Sequence, residues 1–280
     1  MVFRRALHHA WLLLLADALT PGRRWSGGVA PRRAAVVPAS SPGGWSGDGK
    51  SQDELMEYDR CVWVSETDEL LGTRTKKEAH VFDADRPRGF LHRAFSVFLF
   101  DAEGRLLLQR RAASKLTFPG VWTNTVCSHP LAGLVPDEVD GPDRVADGSV
   151  PGIKAAASRK LAHELGIVGA DPAAFKYLTR LRYAAPSEIE PWGEHEVDYV
   201  LLFRPRDAVD LAPDPDEVMD TRYVDAAELA AMMADPGLTW SPWFRIIAEN
   251  FLPAWWDDLD AALTTDRHDD FDTIHFLDPS

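Results

Sequence analysis

Apolar and polar positions fall into short alternating or continuous runs from residue 60 onward, broken by turn residues. Cys61 to Ser65, Ala94 to Phe100 and Arg105 to Arg110 read as strands, with turn signals at Asp68-Glu69 and Glu103-Gly104. Asp101 to Gly104, between two apolar runs, predicts a hairpin connection. The period then changes. Over residues 152–166 the chain is Ala-rich, and Ile153, Ala156, Ala157, Lys160, Leu161 and Glu164 keep helical spacing until Gly166 stops it. Strand character returns at Tyr177 to Tyr183 and at Val197 to Phe203, the most continuously apolar run. Asp225 can cap a helix over Ala226 to Ala234, and Ser241-Pro242 opens a predicted helix over Trp243 to Asp258. No internal repeat or membrane-spanning stretch is visible. Strands and helices mixed without regular βα alternation predict an α+β domain with a sandwiched sheet rather than a doubly wound one.

Composition sharpens this in two ways. The 280 residues are 45% hydrophobic, which excludes wholesale disorder, and the two cysteines, Cys61 and Cys127, exclude a disulfide framework or a four-Cys zinc site. Cys61 has only its strand position and is expected to be a buried structural residue. The net charge of −14 repels phosphate polymers and anionic lipid, so neither nucleic acid nor membrane is an expected partner. Charge is also unevenly spread. Residues 1–50 carry seven basic residues (Arg4, Arg5, Arg23, Arg24, Arg32, Arg33, Lys50) against Asp17 and Asp48, with much Ala, Gly, Pro and Ser. That composition, with the short apolar run Ala10 to Ala16 behind Arg4-Arg5, is what targeting segments look like. Residues 1–50 are therefore expected to be an organellar address, with a plastid preferred and cytoplasm or mitochondrion as alternatives. Residues 51–280 form the functional domain.

Candidate chemistry gathers in two short segments. In Thr123-Asn124-Thr125-Val126-Cys127-Ser128-His129-Pro130 a cysteine precedes a histidine by two, so an extended backbone turns both toward one face. Glu194-His195-Glu196 repeats the spacing just before the apolar strand, aiming both carboxylates one way and His195 the other. Two carboxylates turned inward are costly unless a cation lies between them. A metal ion is one answer, and His80, His92 and His129 could complete a site suited to Mn²⁺, Mg²⁺, Fe²⁺ or Zn²⁺. Each histidine alone has the plainer alternative of a hydrogen-bonded structural residue, and Glu-x-Glu that of a solvated strand face. Arg111 and Lys115, with Lys76 upstream and Ser128 nearby, could hold phosphate oxygens through charge-assisted hydrogen bonds, or be ordinary surface cations.

Taken together, His80, the run Leu91 to Phe100, Leu106-Leu107-Leu108-Gln109-Arg110, Phe118-Pro119-Gly120, Thr123 to Pro130, Trp192 to Tyr199 and Pro242-Trp243-Phe244 resemble type I isopentenyl-diphosphate Δ-isomerases. The likeness runs from about residue 58 to about 258 in the family's order and spacing. It implies a Nudix-type fold, a mixed β-sheet sandwiched between helices, with the Nudix core at about residues 90–250 and its helix at residues 152–166. The resemblance also implies the site. His80, His92, His129, Glu194 and Glu196 match the family's metal positions, and Glu164 the position serving a second, substrate-associated Mg²⁺. Cys127 and Glu196 match the acid and base, Trp243 the aromatic that faces a carbocation, and Tyr183 a hydroxyl reaching the active site. Lys76, Arg111, Lys115 and Ser128 match the diphosphate contacts.

The implied activity is interconversion of isopentenyl and dimethylallyl diphosphate, in a protein expected to be a monomer, with Mg²⁺ as cofactor and Mn²⁺ or Zn²⁺ as further possibilities at the His/Glu site. Departures from the general Nudix pattern bear on the alternative, a Nudix-type diphosphate hydrolase. In Arg159-Lys160-Leu161-Ala162-His163-Glu164-Leu165-Gly166-Ile167, Lys160 and His163 replace two of the three expected glutamates, which disfavours hydrolysis. A third possibility, a non-catalytic binding protein, would tolerate loss of Cys127 or Glu196, and both are present.

Overall fold

The computed structural model describes residues 49–277; the proposed targeting segment lies almost wholly outside them. Helix α1 (Gln52–Tyr58) begins at a capping box between Ser51 and Glu54. Strands β1 (Arg60–Val64) and β2 (Leu70–Thr75) pair antiparallel, and Thr75 then caps α2 (Lys76–His80) with Glu78. Next come β3 (His92–Leu99), β4 (Leu106–Arg111), β5 (Trp122–Thr123), β6 (Val126–Ser128), α3 (Pro142–Ala146) and α4 (Pro151–Leu165). The chain continues through β7 (Phe175–Pro186), β8 (Gly193–Phe203), β9 (Val218–Val224), α5 (Ala226–Met233), α6 (Pro242–Asn250), α7 (Leu252–Asp257), α8 (Leu259–Thr264) and β10 (Asp270–Phe276).

Every residue of β3 is buried, as a strand covered on both faces must be. It lies parallel to β8 and antiparallel to β1 and β6, within a sheet ordered β10-β7-β8-β3-β1-β2 to which β6 adds along β3. A second sheet runs β5-β4-β9. One face of the large sheet packs Phe95, Val97, Val197, Tyr199 and Leu201 against Ile153, Ala157 and Leu161 of α4. The other packs Phe98, Leu181 and Val200 against Trp243, Phe244, Ile247, Leu252 and Trp255 of the C-terminal helices. Each Val, Leu, Ile or Phe among them contributes about 1.5–3 kcal/mol by leaving water. Helices on both faces of a mixed sheet make the architecture the α+β sandwich expected from the pattern.

The buried face of α4 consists of Gly152, Ile153, Ala156, Ala157, Lys160, Leu161, Glu164 and Leu165, which contains every position marked by the helical spacing. Gly166 ends it at φ 69°, where a Cβ would meet the Ala212 carbonyl oxygen at 2.8 Å, so only glycine fits.

Two expectations are corrected. The helix predicted over Trp243 to Asp258 breaks after Asn250, because Pro253 has no amide to donate and its ring crowds the carbonyl four residues back. The turn at Asp101 to Gly104 closes with the Gly104 amide donating to the Asp101 carbonyl at 3.1 Å, but beyond the Phe100 and Leu106 bridge its strands part into different sheets. The acidic tail from Asp266 adds β10 parallel to β7 and stacks Phe271 on Tyr177 at 4.9 Å.

Candidate active site

Strand alternation and register bring the site together. His92 and Ser96 lie on one face of β3; Glu196 stands opposite His92 on β8, and Cys127 opposite Ser96 on β6. Glu194 shares the face of Glu196, while His195 turns away and is only half-buried, as the alternation predicted. His80 arrives from the last turn of α2 and His129 from just beyond β6. One ligand atom from each of His80, His92, His129, Glu194 and Glu196 lies within 4.8 Å of all the others, and all five residues are buried.

Their protonation follows from their neighbours. His80 Nδ1 lies 2.5 Å from the Lys76 carbonyl oxygen and His92 Nδ1 2.7 Å from that of Phe90. A carbonyl only accepts, so each Nδ1 carries a proton and each Nε2 is turned toward the carboxylates. Burial, then the nearby His80, pushes His92 down to about 3; burial, then His80 and His92, also drives His129 down, so both rings are neutral. Against the effect of burial, the adjacent histidines hold Glu194 down at about 2. His80 Nε2 faces Glu194 Oε2 at 2.9 Å, yet neither atom has a hydrogen bond; nor does His92 Nε2. Buried atoms of this kind are costly unless a cation lies between them. Three imidazole nitrogens and two carboxylates, with backbone carbonyls orienting two of the rings, fit a divalent metal ion.

His129, Glu194 and Glu196 of the cluster line a pocket of about 510 Å³ measured out to its mouth. Lys76, Arg111, Lys115, Cys127, Ser128, Glu164 and Trp243 line the same pocket, so the sequence-identified residues converge. Tyr183 donates its hydroxyl to Glu196 Oε2 at 2.5 Å, and His129 Nε2 lies 2.9 Å from Glu196 Oε1. Burial pushes the Cys127 thiol up to about 12 against the pull of Arg111, whose Nη1 lies 3.7 Å from the sulfur. The Arg111 guanidinium is further fixed by the carbonyls of Phe118 and Thr117, and sits 5.5 Å from the Trp243 ring centre. Trp243 is oriented by its indole N–H, which donates to Asn124 Oδ1 at 3.1 Å.

Glu164 stands outside the five-residue group. Lys160 Nζ lies 3.0 Å from its Oε1, and the Gln109 amide donates to its Oε2 at 2.9 Å. An ammonium thus accompanies the last glutamate of the helix, where further carboxylates were expected. His163 meets Lys160 Nζ at 2.9 Å and takes no part in the His/Glu group. Cys61 is fully buried, in keeping with a structural residue.

Sequence reasoning missed Gln52 and Met56, which cover the pocket from α1, and Leu116 and Thr117 beside Lys115. The capping box at Ser51 and Glu54 was the available signal for α1. Also missed was Glu217, buried beside Lys115, which had no spacing signal.

A NUDIX domain model matches residues 90–244. The isopentenyl-diphosphate delta-isomerase of Candida albicans is 44% identical over 241 residues, covering 81% of this chain and 83% of that protein. The chain belongs to the isopentenyl-diphosphate delta-isomerase family. A member from Phaffia rhodozyma is 47% identical over 214 residues, covering 75% of this chain and 80% of its own. Another, from Arabidopsis thaliana, is named isopentenyl-diphosphate Delta-isomerase I, chloroplastic; it is 44% identical over 233 residues, covering 81% of this chain and 76% of that one. Membership agrees with the resemblance carried by the motifs, and the paired Lys160 and Glu164 separate this isomerase-family chain from the glutamate-rich helix of a Nudix hydrolase.

Proposed function

We propose that this chain is an isomerase interconverting isopentenyl diphosphate and dimethylallyl diphosphate by proton addition and removal at carbon. The observation that carries the reading is the convergence, in one pocket, of the His/Glu group, a cysteine and three cations. Moving the double bond requires a proton on the terminal CH₂ and loss of one from the carbon across the resulting tertiary cation. Cys127 and Glu196, reaching the pocket from strands on either side of β3, are the acid and base. The high thiol pKa keeps a proton on Cys127 at neutral pH, and the Tyr183 hydroxyl steadies the Glu196 carboxyl.

The Trp243 face supports the cation by about 1–2 kcal/mol where water is excluded. Lys76, Arg111, Lys115 and Ser128 hold the diphosphate, and Glu164 serves a Mg²⁺ that accompanies it. His80, His92, His129, Glu194 and Glu196 hold the resident divalent ion, for which Mg²⁺, Mn²⁺ and Zn²⁺ all suit the donors. Bound there, the ion supplies positive charge that tunes the acidity of Glu196.

Residues 1–50 are proposed as a plastid address; a fluorescent fusion retained in the cytoplasm would remove that part of the reading. The domain at residues 51–280 is proposed to act as a monomer, which light scattering reads directly. The catalytic assignment is tested by Cys127→Ser. Isomerisation is expected to fall by about 10²–10⁴-fold with substrate binding largely kept, because a hydroxyl is a far weaker acid. Turnover within threefold of the parent would remove Cys127 from the chemistry.

A further inference from the structure

Glu217, 3% exposed, is the residue immediately before β9. Its Oε2 accepts from the Lys115 ammonium. Its Oε1 accepts from the Gln52 side-chain amide of α1 at 3.1 Å, and lies 3.9 Å from Lys160 Nζ and 3.8 Å from His163 Nδ1. The backbone explains this placement. Arg111 pairs with Val218 across β4 and β9, after a bulge between Arg110 and Arg111, and the Ala112 amide donates to the Glu217 carbonyl at 2.9 Å. The following turn closes with the Lys115 amide on the Ala112 carbonyl at 3.3 Å, and Ser114 Oγ donates to the Asp216 carbonyl at 3.2 Å. The end of the ladder therefore sets Glu217 and Lys115 side by side.

The electrostatics require an anion here. Lys115 and Lys160 are both buried, at 9% and 5% exposure, and Arg111 lies in the same pocket wall. Burial lowers the Lys115 pKa, and Glu217 is the leading influence opposing that shift. Lys160 keeps Glu164 at 3.0 Å, whereas Lys115 is paired with Glu217; without that carboxylate the buried Lys115 ammonium must move or lose its proton.

We infer that Glu217 is a positioning residue that fixes Lys115 for the substrate diphosphate and fastens α1 over the pocket through Gln52, so that anion capture and pocket closure draw on one carboxylate. The inference deepens the proposed function and rests on its assignment of Lys115 to the diphosphate. Gln52 and Met56 both line the pocket, so loosening α1 uncovers the place where the substrate sits.

The test compares Glu217→Gln, Gln52→Ala and the double variant in the full chain. KM and kcat are measured for isopentenyl diphosphate, and Kd for inorganic pyrophosphate with Mg²⁺ by calorimetry. Glu217→Gln is expected to raise KM and pyrophosphate Kd about tenfold while kcat falls less, since a charge-assisted contact is lost on the binding side. Gln52→Ala is expected to raise KM about threefold, and the double variant to be no worse than Glu217→Gln, because both act through one group. Unchanged KM and Kd, or effects that simply add, would overturn the inference. If circular dichroism shows Glu217→Gln unfolded, Glu217→Asp carries the test: it keeps the charge but withdraws it by one methylene, so a raised KM supports positioning and a parental KM overturns it. Failure of the parent protein to isomerise the substrate would sink the functional reading alone, and the pyrophosphate Kd ratios would still decide the role of Glu217.

Discussion

The two faces of β3 and β8 both bury charge, and they resolve it in opposite ways. On the face toward α4, Arg93 Nε donates to Asp68 Oδ1 at 2.7 Å, Arg180 Nη1 to Oδ2 at 2.9 Å, and the Tyr199 hydroxyl to the same Oδ2. Arg93 also reaches the Asp140 carbonyl at 2.6 Å, while the Asp140 carboxylate accepts the Gly152 and Ile153 amides at the start of α4. The Asp68 carboxylate is saturated by protein donors, and this cluster ties turn, sheet and helix together. On the opposite face, His92, next to Arg93 in sequence, points a bare Nε2 at a group where His80 Nε2 and Glu194 Oε2 also have no hydrogen bond. Buried charge with its partners supplied is structural; buried polar atoms left without partners beside one another mark a place fit for an ion.

Removing the ion should break this contrast most sharply. Dialysis against a strong chelator is expected to lower isomerase turnover by more than about 100-fold, with recovery on adding a divalent metal back. Persistence of full turnover in metal-free protein would show that the His/Glu face needs nothing beyond itself. Asp68→Asn probes the other face. Asn tolerates the φ of 65° found at Asp68, so the change isolates the charge. Leaving two arginines unpaired is expected to cost about 3–5 kcal/mol of stability in chemical denaturation, with metal content by elemental analysis unchanged. Loss of metal instead of stability would reverse the roles assigned to the faces. The smallest effect is expected from Trp243→Leu, which keeps an apolar wall but removes the π face: kcat should fall about 5–30-fold, in line with about 1–2 kcal/mol, with KM nearly constant. A rise in KM alone would make Trp243 a packing residue.

How much of this was legible in the sequence depended on how local the signal was. Glu194 and Glu196 could be read because strand alternation is a two-residue rule, and the buried stripe of α4 because helical period repeats over four turns. Asp68 could not be, because an aspartate beside a glutamate between strands reads as a turn; the turn is real, yet its carboxylate is claimed by Arg93 and Arg180 from far along the chain. Glu217 was silent for the same reason, since its partners Lys115 and Gln52 are long-range. In the tail, Phe271, Ile274 and Phe276 sit among aspartates, and the charge hid a strand that pairs with β7 and stacks Phe271 on Tyr177. Pro253 was visible, yet the predicted helix ran through it, although backbone chemistry alone places a break there.

The most direct test of the central claim is incubation of the purified full chain with isopentenyl diphosphate and Mg²⁺ in D₂O, with products followed by NMR. An isomerase yields dimethylallyl diphosphate carrying deuterium at the carbon that received the proton, with no phosphate released. Release of phosphate or a monophosphate, with the double bond unmoved, would contradict isomerisation and assign the pocket to diphosphate hydrolysis.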